Sequence, residues 1–219
     1  MRTKRNLSIE KMVLLALFTA LVAIFSYLGG FIKIGGLASI SLTLIPIVLG
    51  AALCGPVSGA WLGGVSGAIF FVTPDAAFWF GLSIPGTIIT VMLKGIAAGL
   101  LAGFTYKFFE RFNRYLAVII SAIVCPVINT GIFIIGCFIF FMDTVNGFAL
   151  EAGMSVGAYI IVGFVGLNFV FELLSNIIFS PAIVRLLDIK KKPQAAKGRS
   201  NKTNSQESND SIENKIQKK

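Results

Sequence analysis

The sequence predicts an all-α, polytopic membrane protein: a bundle of six transmembrane helices with both termini in the cytoplasm. Three observations carry that expectation. Hydrophobic residues make up 56% of the 219 residues and charged residues only 13%, about half of the roughly 25% typical of a soluble domain. Twelve of the twenty-nine charges lie in 189–219, so the remaining body is almost uniformly apolar and its solvent must be lipid. The apolar runs are continuous, without the alternation over about ten residues that marks a membrane barrel strand. Helices are the other structure that satisfies every backbone group in hydrocarbon.

A crossing takes about twenty apolar residues, and the body has room for six. The first is expected over 12–28, following the basic Arg2, Lys4, Arg5 and Lys11 and ending at Gly29-Gly30. Its uncharged stretch is too long for the hydrophobic region of a signal peptide. Residues 34–74 carry no charge, which is enough for two crossings. Cys54-Gly55-Pro56 divides them, since proline ends a helix and glycine permits the turn. The second helix is therefore expected over 42–53 and the third over 57–71. Residues 73–85, with two prolines, Asp75, Phe78, Trp79 and Phe80, read as a loop. The fourth helix is expected over 86–106, followed by a basic connection containing Lys107, Arg111 and Arg114. The fifth is expected over 116–141, a polar loop over 143–151 and the sixth helix over 156–187.

Orientation follows from the Lys/Arg asymmetry. With the N-terminus in the cytoplasm, every basic segment falls inside, and only Lys33, Asp75, Asp143 and Glu151 lie outside. The division is a transmembrane domain over 1–188 and a tail over 189–219. That tail, rich in Lys, Asn, Ser and Gln, lacks the apolar surface to fold. It is expected to be a disordered, basic cytoplasmic extension that touches membrane lipid headgroups. The same charge pattern accounts for the net charge of +9 without any nucleic-acid partner.

Catalytic and cofactor chemistry finds little to work with. The chain has no histidine, the commonest general base and metal ligand. It has no GxxxxGK[ST] loop, hence no P-loop ATP site of its own. Cys54, Cys125 and Cys137 sit singly in apolar runs and read as small packing residues. We expect no enzyme activity, no metal and no cofactor.

Small residues recur four apart, the spacing that lets membrane helices approach closely. The first helix carries Ala16 and Ala20, the third Gly59, Gly63 and Gly67, the fourth Gly95, Gly99 and Gly103. Each set shares a face, and each serves either bundle packing or docking of another protein.

Ionisable residues inside spans are costly and point to function. Two stand out, Lys94 in the fourth helix and Glu172 in the sixth. Asn168, Glu172 and Asn176 form one stripe at i, i+4 and i+8, and Asn129 and Thr130 lie mid-way along the fifth helix. At about 1.5 Å per residue, Lys94 sits about 12 Å below the outer end of its helix and Glu172 about 24 Å. One reading is a structural Lys94–Glu172 pair supported by amide bonds. The other is a site open to the outside, where Lys94 attracts an anionic group and Asn129, Thr130 and Asn168 supply hydrogen bonds. Phe78 and Trp79 then either cover that site or sit at the membrane interface.

The chain resembles the S components, the substrate-binding membrane subunits of energy-coupling factor vitamin importers of bacteria. The resemblance spans roughly residues 8 to 188. It rests on Leu15-Ala16-Leu17-Phe18-Thr19-Ala20-Leu21, on Ser41-Leu42-Thr43-Leu44-Ile45-Pro46-Ile47-Val48-Leu49-Gly50, on Gly55-Pro56-Val57-Ser58-Gly59-Ala60 and on Pro126-Val127-Ile128-Asn129-Thr130-Gly131. The last run is most similar to the pantothenate-type group, with folate and riboflavin carriers sharing the layout. The resemblance implies a multi-pass protein of the bacterial plasma membrane that binds a small vitamin near the outer surface. It also implies that Ala16 and Ala20 dock a transmembrane coupling protein, joined by two cytoplasmic ATPases. A stand-alone proton-coupled carrier and a non-transporting membrane scaffold are the competing expectations.

Overall fold

The turns of the chain are set by residues whose backbones cannot simply prolong a helix. The computed structural model describes residues 2–29, 33–34, 38–39, 42–166, 169–179 and 181; Asn168 and the tail expected over 189–219 lie outside the described residues. Helix α1 (Arg2–Gly29) contains the apolar stretch Ile9–Gly29. A short antiparallel ladder follows, in which β1 (Lys33–Ile34) pairs Lys33 with Ser39 and Ile34 with Ala38 of β2 (Ala38–Ser39). The sequence reading contains no strand there. Helix α2 (Leu44–Cys54) ends where Gly55 takes φ +108°, and the Gly55 N–H donates to the Ala51 carbonyl at 3.0 Å. Only glycine adopts that backbone readily. Pro56 then opens α3 (Pro56–Phe70), so the expected break at Cys54-Gly55-Pro56 is the one observed.

Two stretches expected to be loops are instead helical. Residues 73–85 hold α4 (Pro74–Leu82) and the start of α5 (Ile84–Phe109), and 143–151 fall within α7 (Met142–Glu151). Pro74 and Pro85 lie in first turns, where the missing N–H has no intrahelical partner to lose. Ser83 caps α5 by accepting from the Gly86 N–H at 3.2 Å. In α7, Asp143 occupies the first turn, where the helix dipole favours a carboxylate. Val145 and Ala149, one turn apart, are each only 1% exposed and fix that helix to the core. The polar residues mark helix ends rather than a gap between helices. Gly153, at φ +64°, closes α7 with a Schellman motif: Met154 donates to Ala149 at 2.9 Å and Gly153 to Leu150 at 3.0 Å.

Helix α6 (Arg114–Phe140) begins at Asn113, whose side chain accepts from the Tyr115 N–H at 2.8 Å. The helix expected over 156–187 is not one continuous α-helix. It comprises α8 (Val156–Tyr159), a π-helical segment Ile160–Gly166 and α9 (Phe169–Phe179). Among the described residues, three helices are long and apolar enough to cross a membrane, Ile9–Gly29, Ile84–Phe109 and Arg114–Phe140. The number rises to five if each of two bent pairs counts as a span, α3 with α4 at 83° and α7 with α8 at 93°. The sequence expectation is six. Helices α2 and α9, eleven residues each and so about 16 Å long, are too short to count as crossings on their own.

The core lies where α3, α5 and α6 meet. The glycine sets of α3 and α5 face one another across an antiparallel crossing. A Cβ built at Gly63 would overlap the Gly95 carbonyl, and one at Gly59 the Gly99 carbonyl; the reverse substitutions meet the same obstacle. For these two sets the structure therefore selects internal packing over docking. On the other side of α5, a Cβ at Gly136 of α6 would overlap Thr90, and Ser121 donates to the Ala102 carbonyl at 2.8 Å. Helix α1 lies against α2 and α3 through the buried Phe18 and Val22. Its Ser26 hydroxyl is 3.0 Å from Ser66 and donates to Thr43 at 3.3 Å. It is the least covered of the long helices, with 11% of its apolar stretch buried against 44% for α5. Ala16 and Ala20 both lie on its exposed side, beside Val13 and Leu17.

Candidate functional site

Lys94 is placed by the face of α5 that carries Thr87, Thr90 and Lys94 at i, i+3 and i+7. The Thr87 hydroxyl sits 2.7 Å from the Ser83 carbonyl and 2.8 Å from the Trp79 carbonyl, donating toward both. That contact ties the end of α4 to the first turn of α5. Thr90 is buried against Gly136 of α6. One turn further along α5, the half-buried Lys94 meets Phe133, which lies one turn before Gly136. The ammonium stands 5.1 Å from the centre of the Phe133 ring and 5.9 Å from that of Phe70 on α3.

Behind Lys94 stands a network of edge-on rings. Phe133 packs against Trp79 at 5.4 Å between ring centres, and Trp79 packs against Phe141 and Phe78 at 5.3 Å each. Phe78 stacks on Phe148 of α7 at 6.2 Å. Trp79 and Phe133 flank a buried apolar cluster made by Cys137, Phe141, Val145 and Ile160. This edge-to-face geometry matches the ring quadrupoles. It joins α4, α6, α7 and the π-helical segment at one end of the bundle.

Glu172, 2% exposed on α9, lies close enough for its charge to act on Lys94 and on Cys125. Its backbone carbonyl accepts from the Asn176 side chain at 2.9 Å, and Asn176 is itself fully buried. Asn129 is half-buried and Thr130 buried on α6, one turn from Phe133 toward the α6 N-terminus. The structure thus brings Lys94, Trp79 and Phe78 together through Phe133, with Glu172 within electrostatic reach. It places Asn129 and Thr130 on the adjoining turn. Asn168 lies outside the described residues.

Sequence reasoning did not single out Phe70, Phe133 or Phe141. Phenylalanine is ordinary lipid-facing material in a membrane helix, so composition gives no signal. The available clue for Phe133 is its position four residues after Asn129, on the same helix face. Among the described residues no group of three or more His, Cys, Asp or Glu side chains is placed to hold a metal ion.

The arrangement puts a few polar groups among aromatic faces at one end of a polytopic helical membrane protein. No curated protein and no solved structure gives a match to this chain. The family described as ECF transporter, substrate-specific component, matches residues 10–187, and the chain belongs to that family of multi-pass membrane proteins, the substrate-binding subunits of ECF transporters.

Proposed function

We propose that the chain captures a water-soluble vitamin, pantothenate before folate or riboflavin, on the outer side of the membrane. It delivers the vitamin by associating with a transmembrane coupling protein and two cytoplasmic ATPases. The observation that carries this reading is the Lys94 ammonium standing over Phe133 and Phe70. An ammonium held over ring faces still has N–H donor capacity for another partner, and a carboxylate makes the strongest such bond. Pantothenate and folate carry carboxylates. Riboflavin does not, and for that reason it ranks last. Asn129, Thr130 and Asn168 supply hydrogen bonds to the rest of the ligand, while Phe78 and Trp79 cover its apolar part. Glu172 balances Lys94 when the site is empty.

Six crossings with both termini cytoplasmic fit this reading. The aromatic end and the basic connection with Lys107, Arg111 and Arg114 sit at opposite ends of α5, about 39 Å apart along 26 residues. Basic connections stay inside, so the aromatic end faces out. The burial of Glu172, within electrostatic reach of Lys94, is the one observation that favours a second reading, a stand-alone proton-coupled carrier.

The test of the site is Lys94→Ala measured by calorimetry with pantothenate. The expected loss is about 3 kcal/mol, roughly a hundredfold in Kd, as for truncating one partner of a charge pair that the bound ligand closes off from water. Unchanged affinity removes Lys94 from the site.

A further inference from the structure

We infer that Phe133 is a positioning residue for Lys94 and thereby sets the preference of the site for an anionic over a neutral ligand. The inference rests on the vitamin-site reading above, and it concerns a residue that neither the sequence motifs nor the family match singles out. A lysine stem has four flexible carbons, and its ammonium presents no fixed geometry unless something holds it. Here the ammonium stands over two rings, 5.1 Å from the centre of Phe133 and 5.9 Å from that of Phe70. Cation–ring attraction strengthens as the pair is withdrawn from water.

Phe133 is itself held. Gly136, one turn along α6, lacks the Cβ that would collide with Thr90, and this lets α6 approach α5 closely. The approach brings Phe133 opposite Lys94. On its other side the ring meets Trp79 at 83° and 5.4 Å, and Trp79 is tied to α5 through its carbonyl and Thr87. This contact with Trp79 restricts the swing of the half-buried ring. The ammonium is therefore ordered before binding, and the ligand does not bear that ordering cost. Only a ligand with an anion gains from this, because only an anion engages the ammonium strongly.

The experiment compares pantothenate with pantothenol, the same molecule with an alcohol in place of the carboxylate, on the full-length protein in detergent. Wild type is expected to prefer the acid. Phe133→Leu, which keeps apolar bulk and loses the ring face, is expected to weaken pantothenate about tenfold while leaving pantothenol within about twofold. Phe133→Tyr restores the preference, because the face returns. Should Phe133→Leu fail to fold, Phe70→Leu reads the same acid-against-alcohol split from the other ring. An equal loss for acid and alcohol, or no rescue by tyrosine, overturns the positioning role and leaves the vitamin reading standing. A wild type that binds neither molecule, nor folate nor riboflavin, overturns the vitamin reading and this inference with it.

Discussion

Replacing Ala16 and Ala20 together with tryptophan is expected to abolish vitamin uptake while leaving vitamin binding unchanged. The two alanines lie four apart on α1 and are both exposed, whereas Phe18 and Val22 are turned inward. Lipid tolerates a tryptophan as readily as an alanine, so the substitutions do not touch the fold. A partner helix does not tolerate them, because close approach between membrane helices depends on small residues at this spacing. From Met12 to Ile24 the exposed side of α1 is otherwise apolar, including Val13 at 64% and Leu17 at 55% exposure, as a surface meeting lipid or another membrane protein must be. Uptake in cells and calorimetry on purified protein separate the two effects. Normal uptake by the double variant would mean that α1 is not the docking face. Uptake into vesicles lacking any ATPase would favour the proton-coupled carrier. Loss of binding would assign the alanines to internal packing.

The other large effect is expected at the α3–α5 crossing. Gly63→Leu and Gly95→Leu should each prevent the bundle from forming, because the added side chain meets a backbone carbonyl of the facing helix. A side chain can rotate away from such a collision, but a carbonyl can move only if the two helices separate. The smaller Gly63→Ala should lower stability by about 3 kcal/mol, the upper end of ordinary overpacking. Gly131→Ala is the control, since nothing lies within 4 Å of a Cβ there. It should be neutral or gain up to about 1 kcal/mol from helix propensity. Thermal unfolding in detergent distinguishes these outcomes. A Gly63→Ala protein as stable as the parent would sink the close-packed crossing.

Much of the architecture is legible in the sequence because hydrocarbon permits few solutions. The break at Gly55, the long helices over α5 and α6 and the glycine faces all follow from spacing and from the behaviour of proline and glycine. The two stretches misread as loops share one cause. Asp75, Asp143 and the two prolines Pro74 and Pro85 read as loop composition, although the same residues belong in the first turns of helices. The loops assigned around Trp79 and Asn146 are therefore helices α4 and α7, and these carry the aromatic network. In the site, the ionisable Lys94 and Glu172 stand out because charge is rare in a membrane span. Phe133 and Phe70 do not, because their place beside the ammonium depends on how α6 and α3 each cross α5. No pattern within one helix encodes that.

Mass spectrometry of the small molecule that copurifies with the full-length protein, followed by calorimetry with that molecule, tests the central claim most directly. The expected result is one water-soluble vitamin carrying a carboxylate, bound in a one-to-one ratio and released by Lys94→Ala. Recovery of no vitamin, together with no heat of binding for pantothenate, folate or riboflavin, would contradict it.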